Sequence, residues 1–150
     1  MSTFDIADAR LLDAGAVADI LSAAQDQQPW LPRLYTRAQD LHHSDQMIRA
    51  GWVSVARKDT EIIGFSAVKS GFVHSLYVHP QAQGGGVGKT LIDHLKKRCK
   101  ILTLHSYQRS KRANHFYQRN GFVELRRSDG RDNDVKLPDI VFQWRADVLG

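Results

Sequence analysis

The chain has 150 residues, 42% of them hydrophobic, with a single cysteine and a net charge of +5. That length fits one globular domain over residues 1–150 and is too short for two. Cys99 alone excludes an internal disulfide and a cysteine zinc site, the seven histidines show no metal-ligand spacing, and no apolar run approaches the length of a membrane span. The expectation is a soluble cytoplasmic protein without metal or membrane partner.

Phe4 to Ala9 alternates like a short strand, and Asp13 is placed to cap a helix running to about Gln27, with Val17, Ile20 and Leu21 on one face. Trp30-Leu31-Pro32-Arg33-Leu34-Tyr35 breaks that pattern, and a second helix is predicted from Thr36 to Arg49, ended by Gly51. Three apolar runs follow, Trp52 to Ala56, Glu61 to Val68 and Phe72 to Val78, joined by short turns at Lys58-Asp59 and Ser70-Gly71. After Pro80, Gln83-Gly84-Gly85-Gly86-Val87-Gly88-Lys89-Thr90 opens onto a helix marked by Val87, Leu91, Ile92, Leu95 and Cys99 at helical spacing. Ile101 to His105 reads as a strand, Ser110 to Asn120 as a helix with Ala113, Phe116 and Tyr117 on one face, and Gly121 as its left-handed stop. Phe122 to Arg126 and Ile140 to Trp144 supply two last strands around a polar loop from Ser128 to Asp134.

The glycine loop carries the chemistry. Four glycines in five residues between a strand and a helix leave backbone N–H groups open and aim them, with the positive end of the helix dipole, at one point. A diphosphate is the natural occupant. Gly88-Lys89-Thr90 looks like the end of a nucleotide-binding P-loop, but that motif needs glycine at position 83, which is Gln83, and no acidic residue closes the Ile101 to His105 strand. A dinucleotide fingerprint fails as well, because Lys89 stands where its third glycine belongs.

Gln83-x-x-Gly86-x-Gly88 resembles the [QR]-x-x-G-x-[GA] signature of the GNAT (GCN5-related N-acetyltransferase) superfamily, and the strand and Pro80 before it and the apolar helix after it match too. Ser110-x-x-Ala113-x-x-Phe116-Tyr117-x-x-x-Gly121-Phe122 is similar to the family's second cofactor segment, with serine where asparagine is usual. The element order is also that of the family, and the tail from Pro138 to Trp144 is similar to bacterial members. The resemblance implies an α/β fold: a mostly antiparallel sheet of about seven strands, splayed between the fourth and fifth, with about four flanking helices.

By that resemblance the chain is an N-acetyltransferase using acetyl-CoA as donor and passing the acetyl group directly to a primary amine in a ternary complex. Gln83, Gly84, Gly85, Gly86, Val87, Gly88, Lys89 and Thr90 would hold the pyrophosphate. Leu76, Tyr77 and Val78 would offer strand backbone to the pantetheine arm, and Ser110, Ala113 and Phe116 would complete the cofactor site. Tyr117 stands at the family's general-acid tyrosine. His74, whose period-2 position puts it on one face with Leu76 and Val78, is the candidate base, with another residue or a water as alternatives; His105 also ends a strand at the gap. Cys99 is no candidate nucleophile. Substrate recognition is expected from the link between the first two helices and its flanks, with Trp30, Tyr35 and His42, and from Asp129, Asp132, Asp134 and Asp139, which suit a cationic amine.

The basic stretch from residue 96 to 131, with eleven Lys or Arg, fits a nucleotide-bearing cofactor or an acidic surface. A nucleic-acid-binding module and a cofactor-binding fold without catalysis are the rival readings, and the glycine loop argues against the first. A C-terminal edge strand leaves room for a homodimer.

Overall fold

The computed structural model describes residues 4–146. In chain order the elements are β1 (Asp5–Asp8), α1 (Ala14–Asp26), α2 (Arg37–Arg49), β2 (Val53–Lys58), β3 (Glu61–Lys69), β4 (Phe72–Val78), α3 (Val87–Arg98), β5 (Ile101–Tyr107), α4 (Lys111–Arg119), β6 (Val123–Ser128) and β7 (Asp139–Arg145). The strands form one seven-stranded sheet in the order β1-β2-β3-β4-β5-β7-β6.

Local chemistry accounts for most boundaries. Thr36 caps α2 through a reciprocal box: its hydroxyl accepts from the Gln39 N–H at 3.1 Å while Gln39 Oε1 accepts from the Thr36 N–H at 2.8 Å. Asp13 does not cap α1. A 3₁₀ turn at Leu11–Asp13 precedes that helix, and the buried Asp13 carboxylate turns back to accept from the Arg10 N–H and from Arg57 Nη2, each at 2.8 Å.

α1 and α2 cover one face of the sheet, where Val17, Ile20, Leu21 and Ile48 pack on Val53, Val55, Phe65 and Ala67. The other face belongs to α3 and α4. Ile92 and Leu95 pack on Val73, Leu102, Leu104 and Phe142, while Val87 and Leu91 pack on Ala56 and Ile63. Leu91, Ile92 and Leu95 are fully buried, each worth about 2 kcal/mol relative to exposure, so α3 is held by its apolar stripe.

Every strand pair is antiparallel except β4 with β5, and that pair meets only where Phe72 lies opposite Thr103. The Thr103 N–H donates to the Gly71 carbonyl at 2.9 Å, and beyond this junction no ladder joins the two strands as they run on to Val78 and Tyr107. The sheet is therefore splayed, as the sequence led one to expect. Gly71 sits at the pivot with φ +82°, and a Cβ there would stand 2.7 Å from the Ile101 carbonyl oxygen. Only glycine allows β5 to approach the turn so closely.

Candidate active site

The loop after β4 is built to present backbone. Pro80 starts a short 3₁₀ turn in which His79 Nδ1 accepts from the Gln81 N–H at 3.1 Å, so His79 turns the chain. Gly84 and Gly86 both have φ +86°, and no heavy atom lies within 4 Å of a Cβ built on either. Gly86 sits at the N-cap of α3, where the N–H groups of the first turn have no carbonyl behind them. Buried Val87 anchors this end to the core, and the Thr90 hydroxyl donates to the Gly86 carbonyl at 3.0 Å. Lys89 pairs with Asp93 at 2.8 Å one turn along the exposed face. Gly88 has a different purpose: a Cβ there would meet the Phe116 ring at 3.2 Å, so its absence lets α4 pack against the first turn of α3.

The second segment begins where β5 ends. Ser110 precedes α4 without capping it, because its hydroxyl donates to Gln28 Oε1 at 3.0 Å. Asn114, which sequence reasoning passed over, fastens α4 to the end of β5: its Nδ2 donates to the Tyr107 carbonyl at 3.1 Å and its Oδ1 accepts from the Ser106 hydroxyl at 2.6 Å. Ala113 and Phe116 are half-buried on the same helix. Gln83 joins the two segments. Its Nε2 donates to Gln27 Oε1 at 2.9 Å and to the Val78 carbonyl at 3.3 Å, and its Oε1 accepts from Arg112 Nη1 at 3.3 Å.

Tyr117 packs against Phe116, Phe122 and Phe142 at ring separations of 5.5, 5.7 and 5.8 Å. Burial pushes its phenol well above the ordinary tyrosine value, and the nearby Tyr77 phenol adds to the shift. Tyr77 is raised too, by burial first and then by Tyr107 and Asp40. Both phenols hold their protons at neutral pH.

His74 does not share a face with Leu76 and Val78. Ala67 pairs with Ser75 and Val68 with Val73, so β4 carries one extra residue and the pleat slips there. Leu76 and Val78 pack toward α3, whereas His74 stacks on Trp52 at 4.8 Å and meets the edge of Phe72 at 4.7 Å on the opposite face. Burial and then the Lys69 ammonium lower its pKa, so its imidazole is neutral at neutral pH. His105 also lies against Phe72, at 5.3 Å and nearly perpendicular to it.

Of the expected substrate residues, Trp30 reaches the end of β5. Its ring meets Tyr107 at 5.9 Å and lies 5.1 Å beneath the Arg109 guanidinium. Tyr35 and His42 instead gather around His43, at 4.7 and 6.3 Å. Asp139 accepts from the Ser128 hydroxyl at 2.5 Å, and it and Asp134 raise the Tyr107 pKa after burial has done so. Cys99 is half-buried against the α3 cluster. Among the described residues no three His, Cys, Asp or Glu side chains gather as a metal ion requires, and no helix is long and apolar enough to cross a membrane.

A splayed sheet with a glycine loop on one wall and a tyrosine-bearing helix on the other defines an acetyltransferase fold. Residues 49–124 match the family model described as an acetyltransferase (GNAT) domain, and the chain belongs to that family. It is 31% identical over 93 residues to the peptidyl-lysine N-acetyltransferase YiaC of Escherichia coli K12, a match covering 60% of this chain and 61% of YiaC. The chain thus spans less than two thirds of the length of the curated relatives it matches. Among solved structures, apo YjaB of Escherichia coli superposes with a TM-score of 0.78 at 20% identity, covering 95% of this chain and 98% of YjaB. The YncA acetyltransferase of Salmonella typhimurium, solved with acetyl-CoA, gives 0.76 at 21% identity, covering 97% and 95%. These similarities bear on the fold.

Proposed function

We propose that the chain, as a single domain over residues 1–150, is an acetyl-CoA-dependent N-acetyltransferase that passes an acetyl group directly to a primary amine. The observation that carries this reading is the cleft between β4 and β5, joined at one residue pair and flanked at its open end by the Gln83–Gly88 loop and the start of α4. The residues fit the cofactor. Gly84 and Gly86 leave the loop backbone bare, the first turn of α3 adds its unpaired N–H groups, and Lys89, Arg109 and Arg112 supply positive charge nearby. Leu76 to Val78 has no ladder partner on the cleft side and offers its backbone to an extended arm.

When bound, acetyl-CoA supplies the acetyl group activated as a thioester. His74, neutral and on the α1 and α2 face, would take the proton that the amine loses, directly or through a water. The pKa directions suit a base at His74, which must start neutral, and an acid at Tyr117, which must start protonated.

The similarity to YiaC favours a lysine amine on a protein or peptide as acceptor, and Asp134 and Asp139 beside Tyr107 suit a cationic group. The test is incubation with acetyl-CoA and a panel of lysine peptides and small amines, following thiol release and identifying the acetylated product by mass. Tight acetyl-CoA binding with no turnover on any amine supports a cofactor-binding fold without catalysis. Failure to bind acetyl-CoA refutes the proposal.

A further inference from the structure

Two consecutive glutamines follow α1, and each touches a different wall of the cleft. Gln27 Oε1 accepts from Gln83, on the loop that follows β4, at 2.9 Å. Gln28 Oε1 accepts from the Ser110 hydroxyl, at the start of the helix that follows β5, at 3.0 Å. Trp30, two residues on, lies edge-on to Tyr107 at the end of β5. Residues 27–30 therefore cross the open end of the cleft, opposite the Phe72–Thr103 junction.

The backbone of this crossing is fixed. The Gln27 N–H donates to the Ala23 carbonyl at 3.2 Å, the Gln28 N–H to the Gln25 carbonyl at 3.1 Å, and the Leu31 N–H to the Gln28 carbonyl at 2.9 Å. Arg33 fastens the link toward α2, donating to Asp26 at 2.9 Å, to Ser22 at 3.1 Å and to Asp40 at 2.9 Å.

Most polar groups at the crossing are already engaged. The Ser110 hydroxyl has one proton, and it is spent on Gln28. The Gln83 carboxamide is engaged at both its oxygen and its nitrogen. The far end of each glutamine after α1 is still on offer: Nε2 of Gln27 and of Gln28, whose protons meet no acceptor in the hydrogen bonds of the described residues. The arm of the cofactor carries two amide groups between its phosphates and its sulfur. A carboxamide donates to an amide carbonyl and accepts from an amide N–H, so the two match in kind.

We infer that Gln28, with Gln27 beside it, is a cofactor-binding residue whose carboxamide, seated on Ser110, hydrogen-bonds the amide-bearing arm at the mouth of the β4–β5 cleft. The inference rests on the function proposed above. It assigns to the segment after α1 a binding contact that neither sequence segment contains.

Calorimetric titration of the full chain with two probes tests it: acetyl-CoA, and adenosine 3′,5′-bisphosphate, which keeps the nucleotide and lacks the arm. Gln28→Ala is expected to weaken acetyl-CoA binding about three- to tenfold, the range of one neutral hydrogen bond, and to leave the bisphosphate unchanged. Ser110→Asn returns a carboxamide to the same wall. It is expected to recover most of the loss in the Gln28→Ala background and to bring no gain in the wild type. Wild-type acetyl-CoA affinity in Gln28→Ala, equal loss of both probes, or equal gain from Ser110→Asn in both backgrounds overturns the inference. A wild type that binds neither probe overturns the proposed function itself.

Discussion

Replacing Gly71 with alanine tests whether the turn between β3 and β4 sets the point where the sheet parts. Two costs are separable. Alanine at φ +82° sits in the left-handed region, at about 1 kcal/mol. Its methyl would also stand 2.7 Å from the Ile101 carbonyl oxygen, a backbone atom that moves only if β5 moves, and overpacking of this kind costs about 2 kcal/mol. The sum, about 3 kcal/mol, lowers the melting temperature by about 6–12 °C in a domain of this size. Gly51→Ala is the control, since its φ of +79° is nearly the same and nothing lies within 4 Å of its Cβ. It carries only the first cost and is expected to lose about 2–4 °C. Thermal unfolding followed by far-ultraviolet circular dichroism reads both, and acetyl-CoA titration of Gly71→Ala at about 20 °C below its midpoint reads the cleft, whose affinity should fall as β5 shifts. Equal losses in the two variants would refute the steric argument.

Tyr117→Phe keeps the ring against Phe122 and Phe142, so stability and acetyl-CoA affinity should hold while kcat falls about a hundredfold; an unchanged kcat removes the phenol from proton transfer. His74 works as a base only when neutral, so activity is lost as pH falls through its pKa, which lies below the free value of 6.5. Lys69→Met removes one of the two causes of that depression, and the acid limb of kcat/KM should move to higher pH with the alkaline plateau unchanged. A limb that stays in place argues against His74. Arg33→Met leaves the Asp40 carboxylate, 1% exposed, with only the Ser22 hydroxyl. The loss expected in urea is about 2 kcal/mol, below that of a fully buried pair because the Arg33 side chain is 32% exposed, and Asp40→Asn should recover part of it. An unchanged midpoint would show that the pair contributes nothing.

The outline of the fold was legible because its punctuation is local. Ser70-Gly71, Lys58-Asp59 and the Thr36 box act within a few residues, and the apolar spacing of α3 names its own buried face. What escaped depends on partners distant in the chain. The period-2 reading of β4 assumed an unbroken pleat, and only pairing with β3 reveals the extra residue that carries His74 to the other face. Asp13 looked like a cap because Arg57, forty-four residues away, is invisible to local reasoning. In the site, the glycine loop could be read because its chemistry lies in consecutive residues. The bridges from Gln27 and Gln28 could not, since nothing in a polar helix end says which loop it will face.

The single β4–β5 junction makes the sheet two plates, β1 to β4 and β5 to β7, held edge to edge with α3 as a splint behind the seam. Ile92 and Leu95 touch Val73 on one plate and Leu102 and Leu104 on the other, so the seam is maintained by apolar burial where other strand pairs rely on a ladder. Its opening is then a motion distinct from global unfolding, and amide protons of β4 and β5 along the gap should exchange by that route. An extended molecule bonded to both edges supplies the rungs the protein omits. It raises the stability of the whole chain by mass action, most strongly at the seam.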